Sequence, residues 1–213
     1  MTEPWHGTQW WRNLDKDTRT ASAWIPYPLA NARMSNYDLD VGDDFAHGVV
    51  TKWLHDYQEH RATGTGLMLV GSHGVGKSHL AVSALRAAIR TYKQCGRYIT
   101  ANGYIRALDD ARHNDGILPD SYPLGNLLSY LREVYDVVVI EDVDSVRDTP
   151  YAHRELADLL EGRLHNNLVT ILTAVHKEAL ADTVNPKFQS VARGASIVVN
   201  VKAADYRETH RGT

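Results

Sequence analysis

Residues 67–85 read LMLVGSHGVGKSHLAVSAL. Four mostly apolar residues run into a glycine-rich turn, and an apolar-periodic run follows at once. The turn Gly71-Ser72-His73-Gly74-Val75-Gly76-Lys77-Ser78 fits the spacing G-x-x-x-x-G-K-[ST] in full. Each residue type in it has a physical role. The glycines let the backbone curl so that successive N–H groups point inward at phosphate oxygens. A helix opening near Lys77 adds the positive end of its dipole. The spacing assigns Lys77 to the β- and γ-phosphates of a nucleoside triphosphate and the Ser78 hydroxyl to magnesium. His73 inside the loop and His79 just past it belong to the binding stretch without a chemical role of their own.

Such a cradle needs acids from a neighbouring strand. The stretch 136–144, DVVVIEDVD, is an apolar run that ends in carboxylates. It is the Walker B candidate, with Glu141 and Asp142 as magnesium and water ligands. The usual order is Asp first, then Asp or Glu. Here the longer acid comes first, and the shorter Asp142 is left to hold the attacking water.

Outward from these two stretches, apolar strands alternate with helical patterns. The strands are 67–70, 97–101, 136–144, 168–175 and 195–201. Helical periodicity covers 78–96, 102–113, 124–135, 151–166 and 177–184. A further helix begins after Asp43, with Phe45, Val49, Trp53 and Tyr57 as its stripe. The stretch 114–123 reads as a loop. This alternation predicts an α/β fold: a parallel five-stranded sheet with helices on both faces.

The 213 residues suffice for one sizeable domain. A net charge of −3 excludes a wholesale polycation, so any nucleic-acid contact must be local. The one cysteine, Cys95, excludes an internal disulfide, and the eleven histidines are scattered without zinc-ligand spacing. No stretch is apolar enough to span a membrane, and no secretory leader is visible, which predicts a cytoplasmic protein without membrane partners. Residues 1–35 differ from the rest. They carry Trp5, Trp10, Trp11 and Trp24 with little periodicity. They read as a mostly irregular arm that either docks a partner or packs back on a domain spanning 36–213.

Taken together, these motifs resemble the AAA+ ATPases of the DnaC/DnaI helicase-loader and IstB group over roughly residues 36–207. Gly66 to Leu85, with His79-Leu80-Ala81 after the P-loop, resembles the group's GLLLxGxxGxGKTHLAxAI signature. The run VVVIEDVD resembles its LLVIDDLG. Residues 159–175, LLEGRLHNNLVTILTAV, resemble IIxxRYxxxxPTIITSN. The ending VVNVKAADYR resembles the group's terminal strand.

The resemblance implies a P-loop NTPase of AAA+ type with strand order 5-1-4-3-2 and no C-terminal helical lid. It also implies ATP and Mg2+ as cofactors and self-association through ATP interfaces. Its sensor-1 asparagine falls on Val175, with Thr173 and His176 as the nearest polar stand-ins. Its arginine finger falls on Ser190, with Arg193 three residues later. Arg163 matches the arginine of the RY element, where it would face a neighbouring subunit's nucleotide or else complement its helix end.

The implied role is loading a hexameric replicative helicase onto single-stranded DNA. The alternatives are an IstB-like transposition ATPase and an ATP-liganded adaptor with little turnover. Arg86, Arg90, Lys93 and Arg97 form a basic stripe, and Tyr104, Arg106, Arg112 and His113 mix rings with charge. Both are candidates for DNA contact or for solvated faces.

Overall fold

The computed structural model describes residues 9–113, 124–146, 149–175 and 186–206. Its centre is a sheet of five strands: β1 (Gly66–Val70), β2 (Gly96–Thr100), β3 (Val137–Glu141), β4 (Val169–Ala174) and β5 (Ser196–Asn200). Their order is β2-β3-β4-β1-β5 and every pairing is parallel, as the resemblance implied. β1, β3 and β4 are buried along their whole length because helices cover both faces.

Side chains alternate between those faces. On one side Leu67, Leu69, Val137, Val139, Val169 and Ile171 pack against α5 (Lys77–Thr91) through Leu80, Leu85 and Ile89. On the other, Met68, Val70, Val138, Ile140 and Leu172 meet three helices: α6 (Ala101–His113), α8 (Pro150–His165) and α9 (Pro186–Gly194). Each such fully buried aliphatic side chain contributes about 1.5–3 kcal/mol. α7 (Leu124–Glu133) packs outside α6 and α8.

Three elements depart from the sequence reading. The helix after Asp43 is two helices, α3 (Asp44–His55) and α4 (Tyr57–Thr63), broken at Asp56. Its buried face is Ala46, Val50, Trp53 and Tyr57, while Phe45 is 76% exposed. Spacings of four, three and four follow the helical period, whereas a strict repeat of four drifts off the face.

The described part of the N-terminal arm, from residue 9 on, is not mostly irregular either. It forms α1 (Gln9–Asn13), α2 (Lys16–Ala21) and two 3-10 turns. Asp15 caps α2 by accepting from the backbone N–H groups of Asp17 and Thr18, each at 2.9 Å. Trp11 is buried and donates from Nε1 to the Gln94 carbonyl at 3.1 Å. Ala23 and Ala32 share the core with α5. The backbone N–H of Tyr98 donates to the Ala23 carbonyl at 2.8 Å, so the arm covers the open edge of β2.

The third departure is α9, which the sequence reading did not contain. It is anchored by fully buried Phe188 and by Ala192. The loop read at 114–123 and the short helix read at 177–184 lie outside the described residues. Among the described residues no helix is long and apolar enough to cross a membrane.

Candidate nucleotide site

The glycine-rich turn joins the end of β1 to the start of α5, at the carboxyl ends of the strands. The Gly71 N–H donates to the Ala174 carbonyl at 3.2 Å, tying the loop to the end of β4. Gly74 and Gly76 have φ of +75° and +93°, left-handed values that a side chain would strain. Both also sit against other chain. A Cβ on Gly76 would come within 2.9 Å of the Tyr37 ring, and one on Gly74 would run into the Asp205 carboxylate. The Tyr206 N–H donates to the Gly74 carbonyl at 3.1 Å, so the chain after β5 lies across the loop. Val75 is buried beneath, while Ser72 and His73 are exposed.

Lys77 is nearly buried, and its Nζ donates to the carbonyls of Gly71 and Ser72 at 2.7 Å each. The ammonium is therefore drawn over the loop itself. Ser78 lies in the first turn of α5, whose start is turned toward the same space. His79 does not point into the loop's mouth. Its Nε2 meets the Arg33 carbonyl at 3.0 Å, and its ring packs edge-on to Tyr37. Tyr37 also stacks on His47 and accepts from the Asp43 N–H at 2.9 Å. The segment before α3 thus walls the loop with rings.

Glu141 ends β3 on the sheet face that carries α5, the face of Val137 and Val139. It is 8% exposed and accepts from the Tyr98 hydroxyl through Oε2. Asp142 follows with φ of +55°, and its N–H donates to the Thr173 hydroxyl at 2.9 Å. Asp144 accepts from the Val175 N–H at 2.8 Å, so the backbone at the sensor-1 position is pinned even though Val175 has no polar side chain.

Thr173 is fully buried, and its Oγ1 braces the turn at Asp142. It acts on the acids through the backbone. His176 lies outside the described residues. Arg193 is exposed at the end of α9 beside a cavity of about 380 Å³ lined by Met68, Val70 and Val198. Met68 and Val70 belong to the face opposite α5, so Arg193 does not converge on the loop of its own chain. Ser190 is exposed on the same helix.

Arg163 requires a correction. It does not face outward toward another subunit. It is completely buried and donates to the Thr170 hydroxyl at 2.9 Å, to Tyr135 O at 3.1 Å, to Val169 O at 2.7 Å and to Leu131 O. Burial lowers its pKa, and the charge of Asp136 works the other way. The guanidinium is a strut between α7, α8 and β4.

The basic stripe is corrected in the same way. Arg86 is buried and donates to the Ala30 carbonyl, Arg90 pairs with Asp17 at 2.6 Å, and Arg97 lies 4.3 Å over the Trp24 ring. These three cations hold the arm; Arg90 is partly exposed and Lys93 is exposed. Tyr104 is buried in the core, Arg112 pairs with Glu155 at 3.3 Å, and Arg106 and His113 remain exposed.

Sequence reasoning missed Tyr98, Tyr37, Asp43 and Asp205 as site neighbours. Tyr98 carried no local signal, because its partner is 43 residues away.

No protein-family model and no curated protein matches the sequence. Solved structures do. A DnaC helicase loader aligns over 83% of this chain and 100% of its own at 20% identity and a TM-score of 0.70. DnaI aligns over 89% of this chain and 100% of its own at 16% identity and a TM-score of 0.66. A replication initiator DnaA bound to AMPPCP and single-stranded DNA aligns over 84% of this chain at 17% identity and a TM-score of 0.67. The chain spans about half the length of a DNA replication initiation factor and of two DnaA chains that it matches. The chain therefore shares the fold of the DnaC and DnaI structures, a five-stranded parallel sheet with helices on both faces.

Proposed function

We propose that this chain is an ATP-binding, magnesium-dependent helicase loader of DNA replication. The observation that carries the nucleotide reading is the loop around Lys77, left-handed at Gly74 and Gly76, with Glu141 on the same face of the sheet. Its residues fit a triphosphate with a hard cation. The loop offers curled backbone and an ammonium, and Ser78 and Glu141 are oxygen donors of the class magnesium takes. When bound, the cation would supply positive charge that offsets the charge of the phosphates. Lys77 would leave the loop carbonyls for the phosphates. Ser78 and Glu141 would hold the ion's shell, and Asp142 would orient the attacking water.

The loader reading rests on the fold shared with DnaC and DnaI, and single-stranded DNA as ligand rests on that fold and on the DNA-bound DnaA. The hexameric helicase would be gripped by the N-terminal segment, which leaves Trp24 67% and Tyr27 93% exposed. Self-association would bring Arg193 of one chain toward the nucleotide of the next.

One second reading has its own support. With Val175 at the sensor-1 position, Ser190 at the finger position and Arg163 buried, an adaptor that holds ATP with little turnover is favoured over a fast motor.

The test is ATP hydrolysis by the purified protein with and without single-stranded DNA and helicase, alongside Lys77→Ala. DNA-stimulated turnover that the variant lacks supports the loader. Tight binding without turnover under every condition supports the adaptor. Nucleotide binding that Lys77→Ala leaves intact sinks both.

A further inference from the structure

We infer that Tyr98 is a positioning residue for Glu141, and that this phenol is what lets a glutamate serve where the motif usually has an aspartate. The inference rests on the proposed nucleotide reading and adds a residue to it.

β2 and β3 run parallel with Thr100 beside Glu141 and Tyr98 beside Val139. Paired residues and alternate residues of a strand share a face, so Tyr98, Thr100, Val139 and Glu141 all point toward α5. Tyr98 is one pair short of the acid, and its long ring spans that gap. The hydroxyl meets Glu141 Oε2 at the strand end. The ring itself has little freedom. It is 8% exposed within the core cluster, and its backbone N–H is tied to Ala23 at 2.8 Å.

Glutamate has one more rotatable bond than aspartate, and a carboxylate 8% exposed needs a donor. The phenol meets both needs. Fixing Oε2 also fixes the direction of Oε1. A phenol is neutral, so its hydrogen bond brings no positive charge of its own to a site meant for a divalent cation. The arm thereby reaches the site: Ala23 holds β2, β2 carries Tyr98, and Tyr98 holds Glu141.

The test uses the full chain with ADP and Mn2+ as probes. Tyr98→Phe keeps the ring and removes only the hydroxyl. Mn2+ binding to the ADP complex is read by electron paramagnetic resonance, ADP binding without metal by calorimetry, and folding by thermal melting. The expected result is metal-free ADP affinity within about twofold of wild type and Mn2+ affinity down about tenfold or more, the range for loss of a group that orients a metal ligand. Adding Tyr98→Phe to Glu141→Gln should lower Mn2+ affinity no further. Wild-type Mn2+ affinity in folded Tyr98→Phe overturns the inference and leaves the nucleotide reading standing. If Tyr98→Phe melts out, Tyr98→Leu replaces it. That side chain stays apolar and also lacks the hydroxyl, so it should weaken Mn2+ similarly, and an unchanged affinity there is equally adverse. Failure of the wild-type chain to bind ADP at all removes both readings.

Discussion

Asp43 bridges the start of α3 and the exit of β5. Its Oδ2 accepts from the Lys202 backbone N–H at 2.6 Å, and its Oδ1 accepts from the Ala46 N–H at 2.9 Å. One buried carboxylate thus caps a helix and fixes the chain that leads on to Asp205 and the P-loop. Asp43→Ala removes the cap and leaves the Lys202 N–H without its acceptor. The expected loss is about 2–4 kcal/mol, read from urea unfolding. Asp43→Asn restores the cap but turns an N–H toward the Lys202 N–H, so it should recover only part. Full recovery by asparagine would contradict the bridge.

Arg163 is predicted to matter for folding and not for a neighbour's nucleotide. It sits at zero exposure with four carbonyl and hydroxyl acceptors. Arg163→Ala should lower stability by about 3–5 kcal/mol, the range for breaking a buried charged network. ADP affinity of the folded fraction should stay within about twofold. An unchanged melting temperature with lost turnover in the assembled state would instead return Arg163 to the nucleotide of an adjacent chain.

The loop and the acid strand separate binding from turnover. Lys77→Ala is expected to abolish measurable ATP binding in calorimetry. Asp142→Asn is expected to spare binding and remove hydrolysis. Asparagine is the informative choice because Asp142 has φ of +55°, a conformation asparagine adopts readily and alanine does not. A hydrolysis defect therefore reports the lost carboxylate and not a deformed turn.

Cys95 supplies a pH-dependent check on the packing of the arm and β2. Burial, and then the negative charge of Asp136, push its thiol up to about 12. The unfolded thiol ionises near 9. Between these values the unfolded chain has lost a proton that the folded chain keeps. Stability therefore falls as pH rises from about 9 to about 12, by about 1.4 kcal/mol per pH unit from this group. Burial raises the phenols of Tyr57 and Tyr104 as well, with the same sign. Urea unfolding at pH 8 and 10 should show the decline, and Cys95→Ala should make it shallower. Below pH 9 the native thiol should resist disulfide reagents until urea opens the fold.

How far the sequence carried the reading depended on the range of each signal. The P-loop was legible because the glycines, Lys77 and Ser78 are a local pattern with a local cause. The buried strands were legible for the same reason. α9 escaped because Phe188 and Ala192 are two buried apolar residues in a short, mostly polar run, too few to show a helical period. The stripe Arg86–Arg90–Arg97 misled because helical spacing places cations on one face without saying what covers it. Its partners Ala30, Asp17 and Trp24 come from a segment more than 50 residues earlier. Tyr98 and Glu141 illustrate the same limit at the site itself: only the β2–β3 register brings them together.

The arm carries the remaining prediction. Its inner face is committed to the domain through Trp11, Ala23 and Ala32, while Trp24 and Tyr27 stay outside. Trp24 also offers its ring to Arg97 at 4.3 Å, so changing it disturbs the fold as well as the surface. Tyr27 stands 93% exposed in a 3-10 turn flanked by Pro26 and Pro28. Prolines stiffen the turn and lower the entropy lost when the ring is immobilised against a partner. Tyr27→Ala should therefore leave melting temperature and ATP affinity unchanged while weakening helicase binding about tenfold or more, as loss of an aromatic interface anchor does. Fluorescence anisotropy with labelled helicase reads the affinity directly. Equal binding by Tyr27→Ala and wild type would move the helicase contact off the arm and onto another surface, with the nucleotide site untouched by that result.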